Sequence, residues 1–404
     1  MRAKNFIGNT FLSLAGFGIL TLANFVYSIF TVRFLSPEAF SSYNTFFYFL
    51  LALPLPSFQL AVAKATGRHH LSLRSQVAFL LPSFLRLAIW SALGYIVLSP
   101  LLWFLYGQKY PLFLPLGLLV LEGWIWLSGL RGIYQGMLRF DMFSFNIGIE
   151  GISRLIAGTA ALLLGLSAYG ALGASVISGL VAIGILLIPL LLSQKEEKPS
   201  FPEKEVALFR SLIHALLVLL PFGILVVLDQ TIINRFLPEY GKTVNLSSLF
   251  GKNLIALSLT IAHVVFAYVI KEGENNFFLR GMGIILLLFG IAYLFVRITG
   301  RWLFSFLFGS SSGYEFLPLY IGYCLPLGFL QLIVNYSVAK EYHWIISSLW
   351  IYGGVISILM ILLLRLFSLS LVQWYIFFGS VHMLFVLVLT VLFLFIKKPS
   401  QLSP

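Results

Sequence analysis

The sequence has few charges. Only 10% of its 404 residues are Asp, Glu, Lys or Arg, and the 14 acids are outnumbered by 26 bases. A soluble domain carries roughly 25% charged residues and about 45–50% apolar ones. Here 60% are apolar, so a water-soluble globule is excluded. Cysteine is almost absent: the single Cys324 excludes a disulfide framework and any Cys-based zinc site. No phosphate-cradling G-x-x-x-x-G-K-[ST] motif occurs, so ATP hydrolysis is not expected. Long polar segments are missing too. The longest, 193–208, is polar, mixed in charge and reads as a cytoplasmic linker. No soluble catalytic domain fits in such loops, which argues against an enzyme. His69 and His70 adjoin Arg68 but are too poorly accompanied for a metal site, and none is expected. The formal net charge of +12 would suggest nucleic acid in a soluble protein. In an apolar chain the bases are topology signals first, and no nucleic-acid partner is expected.

What the sequence does have is long apolar runs. A bilayer core is about 30 Å thick, and a helix rising about 1.5 Å per residue needs roughly 20 apolar residues to cross it. Twelve spans are expected, at 6–33, 40–63, 76–98, 112–134, 143–165, 170–192, 209–234, 246–270, 281–298, 316–338, 345–365 and 372–396. They are read as helices, because backbone groups in lipid must be satisfied within their own segment. The first run is too long for the apolar part of a cleavable signal and lacks a small-residue cleavage pattern, so it is expected to stay. With the N-terminus in the cytoplasm, 16 of the 26 Lys and Arg fall on the inner side and seven on the outer. That bias places both termini inside a multi-pass cytoplasmic (inner) membrane protein.

The linker lies near the middle of the chain, and residues echo across it at an offset of 202. Arg33-Phe34-Leu35 ends span 1 and Arg235-Phe236-Leu237 ends span 7, each followed closely by Pro-Glu. Tyr134 and Phe140 match Tyr336 and Tyr342 after the fourth span of each half. Six spans per half keep both halves in one orientation, so these are parallel repeats. The expected fold is an all-α polytopic membrane protein of about twelve helices. Two pseudo-symmetric six-helix bundles, 1–192 and 209–404, would surround a central cavity.

Several segments resemble a known family. They are the turn Val32-Arg33-Phe34-Leu35-Ser36-Pro37-Glu38-Ala39-Phe40, the region Leu130–Phe140 with its Gly and basic residues, Leu228-Asp229-Gln230 in span 7, and Tyr169-Gly170-Ala171-Leu172-Gly173-Ala174 at the start of span 6. Together with the span count they are similar to the multidrug/oligosaccharidyl-lipid/polysaccharide (MOP) flippase superfamily, and within it to the polysaccharide flippases of the Wzx type. Ser36 stands where that turn usually has glycine. Twelve spans disfavour the fourteen-span lipid II branch. The resemblance implies a cargo, a polyprenyl-pyrophosphate-linked oligosaccharide, turned from the cytoplasmic to the outer leaflet for surface polysaccharide assembly. It also implies a cavity lined by spans 1, 2, 7 and 8. Membrane lipids and polysaccharide polymerase machinery would be partners. No cofactor is implied beyond possible Na+ or H+ coupling.

Ionisable and polar groups within spans mark the candidate site, because they are costly in lipid. Arg86 and Glu122 both fall near mid-membrane and are candidates for a pair or a relay. Glu150 and Arg154 stand at i and i+4 in span 5 and can pair. Asp229 and Lys252 lie at similar depth on adjacent spans. As a pair they neutralise each other; as a switch, a proton or Na+ at Asp229 would release Lys252. Asp229, Glu122, Arg86, Glu150 and Arg154 are therefore the ion-coupling candidates. Asn24, Tyr27, Arg33, Gln59, Lys64, Arg235, Lys252 and His263 are the cavity candidates, supplying hydroxyl-binding groups and cations for an anionic cargo. For each the structural alternative is an interhelical hydrogen bond or a static ion pair. A MATE-like drug/cation antiporter is the alternative function and predicts an acidic cavity. A polytopic glycosyltransferase or polymerase would need larger outer loops.

Overall fold

The computed structural model describes the chain except residues 1, 37–38, 41, 44–45, 48–49, 51–54, 69–71, 104–109, 193–204, 238–239, 273–275, 309–313, 367–369 and 396–404. Among the described residues it is all-helical, with twelve helices and no strand. They are α1 (Arg2–Phe34), α2 (Leu55–Arg68), α3 (Leu73–Leu102), α4 (Phe113–Gly136), α5 (Phe140–Leu163), α6 (Ser167–Leu192), α7 (Glu205–Phe236), α8 (Gly241–Glu272), α9 (Asn276–Phe308), α10 (Phe316–Lys340), α11 (Trp344–Leu366) and α12 (Leu371–Phe395). Ten are long and apolar enough to cross a membrane. The other two are α2, described over only 14 residues, and α5, whose apolar run is broken by Asp141, Glu150 and Arg154.

The surface supports the membrane reading. Trp90, Val97, Leu164, Leu191 and Ile298 are among many large apolar residues left more than two-thirds exposed. Water would not tolerate apolar faces that extensive; lipid requires them.

The chain forms two compact units. Unit 1 is Met1–Gly223 with two later pieces, Phe266–Glu274 and Val338–Glu341; unit 2 is Ile224–Val265, Asn275–Ser337 and Tyr342–Pro404. Small residues let the helices of unit 1 approach closely, the device expected where lipid removes most of the hydrophobic drive between helices. A Cβ at Gly16 of α1 would lie 2.3 Å from the Ser144 carbonyl oxygen of α5, and one at Gly151 would lie 2.6 Å from Leu20 Cα. We expect Gly16→Val to lower the stability of detergent-purified protein by at least 1–3 kcal/mol, the usual cost of overpacking. An unchanged thermal midpoint would show that α1 and α5 can separate freely.

The later pieces of unit 1 dock on α1 and α2. Tyr268 accepts a hydrogen bond from Asn9 at 3.0 Å, and its ring meets Phe6 edge-on. Lys64 donates to the Val338 carbonyl at 3.0 Å and pairs with Glu341 at 2.7 Å.

Matching turns close the fourth helix of each half. Leu138 after α4 and Glu341 after α10 both have φ of 59°. The next amide reaches back five residues in each case, Arg139 N to Tyr134 O at 2.9 Å and Tyr342 N to Ser337 O at 3.0 Å. This is the left-handed helix stop that usually uses glycine. The two turns correspond at an offset of 203, one residue away from the 202-residue sequence echo.

Candidate functional site

Asp229 of α7 is the most deeply buried acid among the described residues, with no solvent-accessible surface. Its Oδ2 accepts two hydrogen bonds, from Tyr320 Oη of α10 at 2.7 Å and from Tyr375 Oη of α12 at 3.2 Å. Its Oδ1 has no hydrogen-bond donor, and Lys252 Nζ of α8 stands 3.7 Å away. Lys252, ion-paired with that oxygen, also donates to the Gln230 side-chain oxygen, and Gln230 donates to Ser248 Oγ. Glycine positions this arrangement. A Cβ at Gly251 would lie 2.6 Å from Cys324 Sγ and from the Tyr320 ring. Only a bare backbone lets α8 come that close to α10, which places the neighbouring Lys252 beside the carboxylate. Chemically this is a carboxylate held by two hydroxyls on one oxygen and by the Lys252 charge alone on the other. A proton at Oδ1 would neutralise it and leave Lys252 held by Gln230 alone.

A second cluster sits in unit 1. Glu150 accepts from Arg131 Nη2 of α4 at 2.7 Å and from Arg154 Nη2 of its own helix at 2.9 Å. Arg131 Nε donates to Asn146 at 2.8 Å, and Asn146 donates to the Ala182 carbonyl of α6 at 2.7 Å. Arg154 Nη1 donates to Asn24 of α1 at 3.3 Å, and its guanidinium lies 5.6 Å from the centre of the Phe47 ring. The buried Arg154 guanidinium and the half-buried Arg131 one thus share one carboxylate, and Arg154 Nε has no hydrogen-bond partner. The cluster carries a net positive charge in a low-dielectric place, which favours an anion nearby.

The other candidates have separate positions. Tyr27 donates to the Ala171 carbonyl at 3.1 Å, and Gln59 donates to Gln135 at 2.8 Å. Both thus make interhelical bonds. Lys64 is buried in its contacts with Val338 and Glu341, and His263 is buried in α8. Arg33 is exposed at the end of α1. Arg235 belongs to α7, and its side chain lies outside the described residues, as do His69 and His70. The expected Arg86–Glu122 pair is not formed. Glu122 accepts from Ser91 Oγ at 2.8 Å, and Arg86 is on an exposed face of α3. Matching depth along two helices did not specify which way each side chain points.

These sites also contain residues outside the sequence candidates, among them Asn146, Ser248, Arg131, Tyr320 and Tyr375. Arg131 lies within the expected span 112–134 but near its inner end, where a base counts as a topology signal; in the structure it belongs to α4. Tyr320 and Tyr375 read as ordinary aromatics.

No family model matches the chain, and neither does any characterised relative. Solved structures do. A multidrug resistance MATE family transporter of the MOP superfamily, in an outward-facing conformation, aligns over 96% of this chain and 94% of its own, with a TM-score of 0.74 at 15% identity. The eukaryotic MATE transporter AtDTX14 aligns over 96% and 95%, with a TM-score of 0.71 at 16% identity. A MOP superfamily transporter from Pyrococcus furiosus, described by a reverse polarity of its binding pocket that suggests a different function, aligns over 96% and 94%, with a TM-score of 0.68 at 14% identity. The chain therefore has the MATE-like fold of two helical bundles, over essentially its whole length. The resemblance to the MOP superfamily holds at the level of the fold, and the solved neighbours are MATE transporters.

Proposed function

We propose that the chain is a secondary transporter of the MATE-like kind, moving an organic solute across a membrane by alternating access in exchange for a cation. The observation that carries this reading is Asp229. An acid without solvent exposure in a membrane-spanning helix is costly and marks an ion pathway or relay by default. Its Oδ1 accepts no hydrogen bond and is ion-paired with Lys252 at 3.7 Å, a place where a proton would change the local charge. The protonated and ionised forms hold Lys252 differently, which gives a cation gradient a means of biasing two conformations. The full-length likeness to MATE transporters supports the same reading.

Lipid-linked oligosaccharide flipping is the second reading, supported by the net positive Arg131–Glu150–Arg154 cluster. A pyrophosphate cargo would suit buried guanidiniums. The two readings separate in proteoliposomes. One set is offered a fluorescent organic cation under an imposed proton or sodium gradient; the other carries a polyprenyl-pyrophosphate-linked oligosaccharide in one leaflet. Gradient-driven dye movement is expected. Flipping of the oligosaccharide with no dye movement would replace the first reading by the second.

A further inference from the structure

A cavity in unit 2 shares one wall, Tyr375, with the Asp229 site. Its volume is about 480 Å³, and α9, α10 and α12 line it. Small-molecule sites usually span about 300–1,000 Å³. Tyr293 and Arg297 face it from one side of α9, Glu315 from the residue before α10, and Ser380 from α12. Tyr323 and Tyr375 also line it, and Tyr323 Oη is buried without a hydrogen-bond partner. Arg297 and Glu315 thus present opposite charges to one space. Among the described residues neither has an ion-pair partner, and they do not pair with each other.

Past Arg297, α9 carries Trp302 and Phe306, both largely exposed and stacked with centroids 5.4 Å apart. Exposed aromatics among arginines are the pattern of the membrane–water boundary, where lipid headgroups lie. A headgroup with separated charges answers both walls: a phosphate for the Arg297 guanidinium and a primary ammonium for the Glu315 carboxylate. We propose that this cavity is a binding site for a zwitterionic membrane phospholipid of the phosphatidylethanolamine type, held by its headgroup. Tyr293 and the neighbouring apolar surface of α9 would receive the upper part of an acyl chain.

The test reads lipid retained by purified full-length protein, so it does not depend on transport. The protein is reconstituted in nanodiscs of equal phosphatidylethanolamine and phosphatidylglycerol, re-extracted, and its bound lipid is weighed by native mass spectrometry. Wild type is expected to retain phosphatidylethanolamine preferentially. Arg297→Gln and Glu315→Gln should each reduce that retention about tenfold, the worth of one charge-assisted hydrogen bond. Both residues are exposed, so folding should survive. Gly322→Leu adds a side chain where a Cβ meets nothing within 4 Å and should block the cavity in folded protein. Equal retention of the two lipids by wild type, or undiminished phosphatidylethanolamine in all three variants, would overturn the proposal.

Discussion

Replacing Glu150 by Gln should cost the protein about 3–5 kcal/mol of stability, the usual penalty for leaving buried charge without its partner. The size of the effect follows from the arithmetic of the cluster. Arg131 and Arg154 reach opposite oxygens of this one carboxylate, at 2.7 and 2.9 Å, and neither has another acid among the described residues. Glutamine preserves the shape and removes the only negative charge. The double variant Glu150→Gln/Arg154→Met should recover a substantial part of the loss, because it also removes one unpaired guanidinium. The check is a thermal midpoint of each purified variant in one detergent, arranged as a double-mutant cycle. If Glu150→Gln unfolds at the wild-type temperature, or the double variant is worse than the single, the cluster is not held by charge.

Asp229→Asn carries the second large effect, and it falls on coupling. Asparagine is nearly the same size and its carbonyl oxygen can still accept from Tyr320 and Tyr375, so the folded protein should be retained. What is lost is the charge beside Lys252 and the site for a proton. Gradient-driven transport should fall by a factor of ten or more, since a cation gradient can bias the conformations only through a group whose charge differs between them. Downhill exchange of solute without a gradient should persist. Transport that still follows the gradient in the Asn variant would remove Asp229 from the coupling step.

The architecture was largely legible in the sequence because lipid leaves so few options. Runs of roughly twenty apolar residues must be helices, and ten of the described helices, each on an expected span, are long and apolar enough to cross a membrane. The left-handed stops at Leu138 and Glu341 were not legible in the sequence, because each uses a residue other than the glycine that marks such a stop. The pairs were legible where one rule fixed them. Glu150 and Arg154 pair because helical spacing puts i and i+4 on one face. Asp229 and Lys252 approach because adjacent helices bring equal depths together. Arg86 and Glu122 met the same depth rule and do not pair, because rotation of each helix about its own axis is set by packing that no single helix encodes. The same limit hid Tyr320 and Tyr375. Their contact with Asp229 depends on α10 and α12 meeting α7, and it links residues 91 and 146 positions apart. Arg131 was hidden differently: it lies close to the end of its span, where sequence alone does not separate an interior residue from a loop.

The most direct test is counterflow of the driving ion. Purified protein is placed in liposomes loaded with a pH indicator or a sodium indicator, and the organic-cation dye is added with no gradient imposed. A secondary transporter coupled at Asp229 should move an ion opposite to the dye, with the ion flux rising and falling with the dye flux and vanishing in Asp229→Asn. Dye movement with no accompanying ion flux, or an ion flux unaffected by Asp229→Asn, would contradict the account.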